Sequence, residues 1–236
     1  MKRIKAMYLK SFKALLSAMR LLFTNRRALA LIVTTYAGLL ITLYLFVSSR
    51  EATVSQLLLT FFSIAAAPAL FFLLQSLSVA YATGGRIRSV ALDGVKLFFV
   101  SLPVIAITVF AVYNLSKLQT HLTIATTLRY LLSAVIAPLL AIQLWIATSN
   151  TGLRSLFKRL GQVLGKTFAP HSVVVYACGF LIFAVAPYLL LRKSISTERA
   201  WLEISLLTVR LAVSATLMLV GWVTTVGALS ILDRDL

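Results

Sequence analysis

Gln56–Ala82 reads QLLLTFFSIAAAPALFFLLQSLSVAYA, a run without one charged side chain. At about 1.5 Å of rise per residue it makes a helix about 40 Å long. That exceeds the roughly 30 Å of hydrocarbon in a bilayer, so the run spans with room to tilt. Working outward, the same criterion of about 20 mostly apolar residues picks out five more stretches. The six spans fall at about 28–48, 56–82, 96–114, 128–148, 173–191 and 206–232. The chain reads as an all-α integral membrane protein. Residues 1–27 form a basic amphipathic interfacial segment, and residues 28–236 a single six-span transmembrane domain.

Composition agrees. Of 236 residues, 60% are hydrophobic and 12% charged, and mean hydropathy is +0.96. Soluble domains average about 25% charged residues, so a soluble domain, a disordered tail and a free nucleic-acid-binding domain are excluded. One cysteine, Cys178, lies within an apolar run and reads as a small buried hydrophobe, not a disulfide half.

The formal charge of +17 comes from 23 Lys and Arg against 6 Asp and Glu. Lys2, Arg3, Lys5, Lys10, Lys13, Arg20, Arg26 and Arg27 precede span one. Arg86, Arg88 and Lys96 stand between spans two and three. Arg154, Lys158, Arg159 and Lys166 stand between spans four and five, and Arg234 follows span six. All of these fall on one side, against six on the other, with Arg210 inside span six. The positive-inside rule then puts both termini in the cytoplasm. The expected location is a bacterial inner membrane, with the first span as an uncleaved signal anchor because its apolar run exceeds a signal-peptide core.

The basic segments are amphipathic. Ile4, Tyr8, Phe12, Leu15, Met19 and Leu22 recur at helical spacing against Lys2, Lys10, Lys13 and Arg20. Leu153, Leu156, Phe157, Leu160, Leu164 and Phe168 do so beside Arg154 and Lys158, and Ile87, Val90, Ala91 and Val95 beside Arg86 and Arg88. Such helices lie in the interface plane and attract anionic headgroups. The expected partners are therefore membrane lipids, anionic ones above all, with other membrane subunits and no nucleic acid. Arg210, Arg86, Arg88, Arg154 and Lys158 are the candidate contacts to an anion or lipid phosphate.

A threefold hairpin pseudo-repeat is legible: amphipathic segment, outward span, short loop, inward span. Ala67-Pro68 with Gln75 in span two matches Ala137-Pro138 with Gln143 in span four, while span six lacks the proline. Pro68, Pro103, Pro138 and Pro187 are candidate helix kinks, since each removes an intrahelical bond. Gly221 and Gly227 with Ala212, Ser214 and Ala215 form a small-residue stripe on span six, and Ala65, Ala66, Ala67 and Ala69 one on span two. Such stripes pack either within the chain or against a partner. Tyr44, Tyr113, Trp145, Tyr188 and Trp201 fall near span ends as aromatic anchors.

Catalytic chemistry is sparse. No acid sits deep in a span, His121 and His171 belong to opposite sides, and neither HExxH, CxxC, GxSxG, a Walker motif nor GxGxxG occurs. Gly84-Gly85 before Arg86 and Arg88 reads as a flexible exit turn or as a lipid-phosphate contact. No catalytic, cofactor or metal residue is assigned. Arg210 reads as a side chain snorkelling to headgroups, as an anion contact or as an interhelical lock, with Glu203 seven residues earlier on the same face. The leading expectation is a non-enzymatic permease-like or scaffold subunit of a larger complex. The alternatives are an autonomous transporter of a lipid or small anionic solute and, behind it, a lipid-modifying enzyme using Asp93.

Overall fold

The computed structural model describes residues 2–49, 53–84, 89–117, 122–151, 156, 160–192 and 199–234. They are helical throughout, with no strand among them. Helix α1 (Lys2–Thr24) precedes α2 (Arg26–Ser48), α3 (Val54–Thr83) and α4 (Val90–Lys117). Then come α5 (Leu122–Leu131), α6 (Ala137–Thr151), α7 (Leu160–Thr167), α8 (Pro170–Phe180), α9 (Ala186–Arg192) and α10 (Ala200–Arg234). Six helical stretches are long and apolar enough to cross a membrane: Arg26–Ser48, Val54–Thr83, Val90–Lys117, Thr123–Asn150, Pro170–Arg192 and Trp201–Arg234. Each contains one of the expected spans in full and extends beyond it by up to six residues at an end. This is a polytopic all-α membrane protein.

Local chemistry sets the helix ends. Asn25 separates α1 from α2, and its Oδ1 accepts from the Ala28 N–H at 3.2 Å. Thr53 Oγ1 accepts from the Gln56 N–H at 3.4 Å to start α3. Gly84 ends α3 at φ 64°, a left-handed conformation that favours glycine, and its N–H returns to Ala80 O. Pro170 opens α8 at a first-turn position, where a missing N–H costs nothing.

The four intramembrane prolines behave in two ways. Pro68 and Pro103 lie inside uninterrupted α-helices. Pro138 and Pro187 each follow a π-helical turn, Leu132–Ile136 and Leu181–Val185, in which the Ala137 N–H reaches Leu132 O and the Ala186 N–H reaches Leu181 O. Both sites have a leucine six residues before the proline and an alanine just before it. Without an N–H, Pro138 leaves the Ala134 carbonyl open. Tyr176 Oη on α8 donates to that carbonyl at 2.6 Å. The irregular pair is thus spans four and five, whereas the sequence pairs spans two and four.

Packing is concentrated at the end that carries both termini, the terminal end. On α3, Phe72 and Leu74–Val79 are buried, while Leu57, Leu58, Phe61, Phe62 and Ile64 are exposed. On α10, Val223–Ser230 are buried, while Trp201, Ile204, Leu207, Val209 and Leu211 are exposed. Gly221 and Gly227 serve this packing within the chain. A Cβ on Gly221 would fall 2.9 Å from the Phe183 nitrogen, and one on Gly227 2.0 Å from Tyr81 Oη. Ala65 and Ala69 of the other stripe instead line an apolar groove of about 430 Å³ between α3 and α4.

Helix α1 crosses the terminal end, packed on α10, α8, α2 and α3. It divides into three faces where the sequence shows two. Ser11, Ala14, Ala18 and Leu22 are buried against the bundle. Tyr8, Phe12, Leu16, Met19 and Phe23 remain exposed, and Lys10, Lys13 and Arg20 occupy the third side. Helix α7 repeats this choice: Val163 and Thr167 dock, while Leu160, Leu164 and Phe168 stay exposed. Large apolar faces turned away from the protein are what an interfacial helix offers to a bilayer.

Candidate functional site

Three elements converge at the terminal end on a recess of about 210 Å³. The last two turns of α6 contribute Gln143 and Asn150, α7 contributes Gln162 and Lys166, and the last turn of α10 contributes Asp233. Leu156 closes one side and is buried. Lys166 Nζ lies 2.5 Å from Asp233 Oδ1, and Asn150 Nδ2 donates to Asp233 Oδ2 at 3.4 Å. One carboxylate therefore joins α6, α7 and α10. The Lys166 side chain is 38% exposed and that of Asp233 15%, so the pair stays open to the recess. Gln143, at the inner wall, is buried, with its amide nitrogen 3.5 Å from Ser172 Oγ on α8. From Asn150 to Gln143 the polar lining descends about 10 Å along the helix.

Deeper in the bundle, polar groups tie spans to one another. Trp222 Nε1 donates to Gln75 Oε1 at 2.7 Å, and Trp145 Nε1 to Ser101 Oγ at 2.7 Å. Tyr81 Oη donates to Val223 O at 3.0 Å. Gln75 Nε2 is buried without a partner among the described residues. Trp145, expected as an interfacial anchor, is a core residue 3% exposed, because its indole N–H finds an acceptor on α4. Tyr44, Tyr113, Tyr188 and Trp201 are exposed as anchors should be. Beside Pro138, an apolar cavity of about 310 Å³ is bounded by Phe71, Ile105, Trp145 and Trp222. It and the polar recess lie on opposite faces of span four, since Ala141 and Trp145 line one and Gln143, Ala147 and Asn150 the other.

Of the sequence-derived candidates, Arg210 is described, whereas Arg86, Arg88, Arg154 and Lys158 lie outside the described residues. The guanidinium of Arg210 donates through Nε to Leu190 O at 2.7 Å, and its Nη2 donates to the same carbonyl. That carbonyl belongs to the last turn of α9, which lacks an N–H four residues on within the helix. Arg210 is therefore an interhelical cap joining spans five and six. Its expected approach to Glu203 is replaced by this bond. Arg234 repeats the arrangement at the terminal end, donating through Nη2 to Thr83 O in the last turn of α3.

Sequence reasoning missed the recess. Asp233 was visible only as a charge after span six, and Lys166 only as part of a basic segment. The signal available was an acid directly ending an apolar run, with two amides on one face of span four seven residues apart. Among the described residues no three His, Cys, Asp or Glu side chains come together to hold a metal. The chain matches no protein-family model, and no curated protein or solved structure proved similar to it.

Proposed function

We propose that this membrane protein is a non-enzymatic subunit of a larger membrane assembly, permease-like or scaffolding, with both termini in the cytoplasm of a bacterium and its interfacial helices on an anionic leaflet. The observation that carries the reading is how little of each span the chain covers itself. Only 17% to 39% of the most apolar window of each span is buried. Wide lateral faces of α2, α3, α4 and α10 are left for lipid or for other subunits. The charged face of α1 supports the lipid partner, because no acid occurs before Glu51 to neutralise it. Affinity capture of the tagged chain from gently solubilised membranes, followed by mass spectrometry, should recover specific membrane partners. Recovery of the chain alone would oppose the reading. A fluorescent reporter fused after Leu236 should mature on the cytoplasmic side.

A second reading, an autonomous transporter of a lipidic solute, is favoured by one observation. The apolar cavity beside Pro138 adjoins a π turn, a backbone form often found at functional positions. Reconstituted vesicles that move a labelled lipid with this chain alone would favour it over the subunit reading.

A further inference from the structure

We propose that the polar recess at the terminal end binds a small zwitterion, its anionic group on Lys166 and its ammonium on Asp233. Free phosphoethanolamine and the matching lipid headgroup are the two sources with that chemistry. The inference is independent of whether partner chains are found.

Size comes first. At about 210 Å³ the recess is smaller than the 300–1,000 Å³ usual for drug-sized ligands, so it takes a headgroup-sized molecule. Charge comes next. Lys166 and Asp233 balance each other at 2.5 Å. A ligand with one charge that displaces either partner strands the other in a half-buried site, which is unfavourable. A zwitterion replaces one internal pair by two pairs to ligand, so no charge is left uncompensated. Its two ends also match donors and acceptors already in place. Lys166 offers only donors to an anion, and Asp233 only acceptors to an ammonium. Asn150, 3.4 Å from the Asp233 carboxylate, already orients it, and the amides of Gln143 and Gln162 line the wall beside the apolar Ala147, Leu156 and Val163. A quaternary ammonium has no N–H to donate, so a primary amine is preferred.

The test uses the full chain in a neutral detergent, with calorimetric titration of phosphoethanolamine, inorganic phosphate and ethanolamine. Phosphoethanolamine should bind at least about tenfold more tightly than either fragment. Lys166→Met and Asp233→Asn should each weaken it by at least about tenfold. The combined Lys166→Asp and Asp233→Lys exchange keeps the ion pair that holds α7, and should still bind with the ligand reversed. Phosphate binding as tightly as phosphoethanolamine would overturn the proposal in favour of an anion site. Unchanged affinity in both single variants would overturn it in favour of a purely structural pair. Where binding is seen, displacement by nanodiscs of phosphatidylethanolamine, but not of phosphatidylglycerol, assigns the ligand to the lipid; no displacement assigns it to the free solute.

Discussion

At the scale of single residues, the same substitution should act with opposite signs at two glycines. A Cβ at Gly227 would meet Tyr81 Oη at 2.0 Å, so Gly227→Ala must push the ring aside and break its bond to Val223 O. We expect a loss of about 1–3 kcal/mol, the usual cost of overpacking, read as a lower thermal unfolding midpoint in detergent. Among the described residues nothing lies within 4 Å of where a Cβ on Gly161 of α7 would fall, so Gly161→Ala should stabilise by up to about 1 kcal/mol through helix propensity. Gly227 was readable in the sequence as a thin point on span six. Its neighbour Tyr81 was not, because a stripe of small residues says which face is approached and not by what. The same limit held for Arg210. Its charge marked it, but Glu203, near in sequence, was the wrong partner, and the Leu190 carbonyl became available only once span five ended beside it.

At the scale of elements, the joint in span four is open to a double-mutant cycle. Tyr176→Phe removes the hydroxyl that fills the Ala134 carbonyl. Interhelical hydrogen bonds in membranes average about 0.6 kcal/mol and reach about 1.7, and the loss should fall in that range. Pro138→Ala restores an N–H able to serve the same carbonyl, so in that background Tyr176→Phe should cost close to nothing. Equal losses in both backgrounds, measured by unfolding in detergent, would show that Tyr176 and Pro138 are uncoupled. The prolines themselves were legible, but not their two behaviours. Ala67-Pro68 and Ala137-Pro138 are alike as dipeptides; among the described residues only the second has a tyrosine from another span beside its open carbonyl. The amphipathic segments were legible as well, but not the faces by which they dock on the bundle. Helical periodicity finds the side with large apolar residues, and in α1 and α7 that side is turned from the bundle.

At the scale of the whole molecule, the number of spans and their places in the chain followed from length and hydropathy, since the thickness of hydrocarbon sets the minimum run, while several helices begin five or six residues earlier than the apolar run. The arrangement of the spans did not follow, because lipid and protein core are both apolar and leave little contrast around a spanning helix. The concentration of packing at the terminal end gives a further expectation. Ala18 is fully buried where α1 meets the bundle, so Ala18→Leu should cost about 1–3 kcal/mol. It should also raise amide exchange along α1. Phe12→Ala, on a side chain 64% exposed, should leave the detergent-solubilised fold unchanged. A last consequence concerns α10. It runs 35 residues without a proline, about 52 Å of continuous helix. Arg210 grips the end of span five, and about 35 Å further on Asp233 and Arg234 grip α7 and span two. A stiff lever clamped at two points carries a disturbance from one clamp to the other. We predict that Arg210→Ala raises amide exchange in α7 as well as in α9; exchange confined to α9 would show that the clamps are mechanically separate. If α7 responds, the chain relays movement across the bilayer with nothing passing through it.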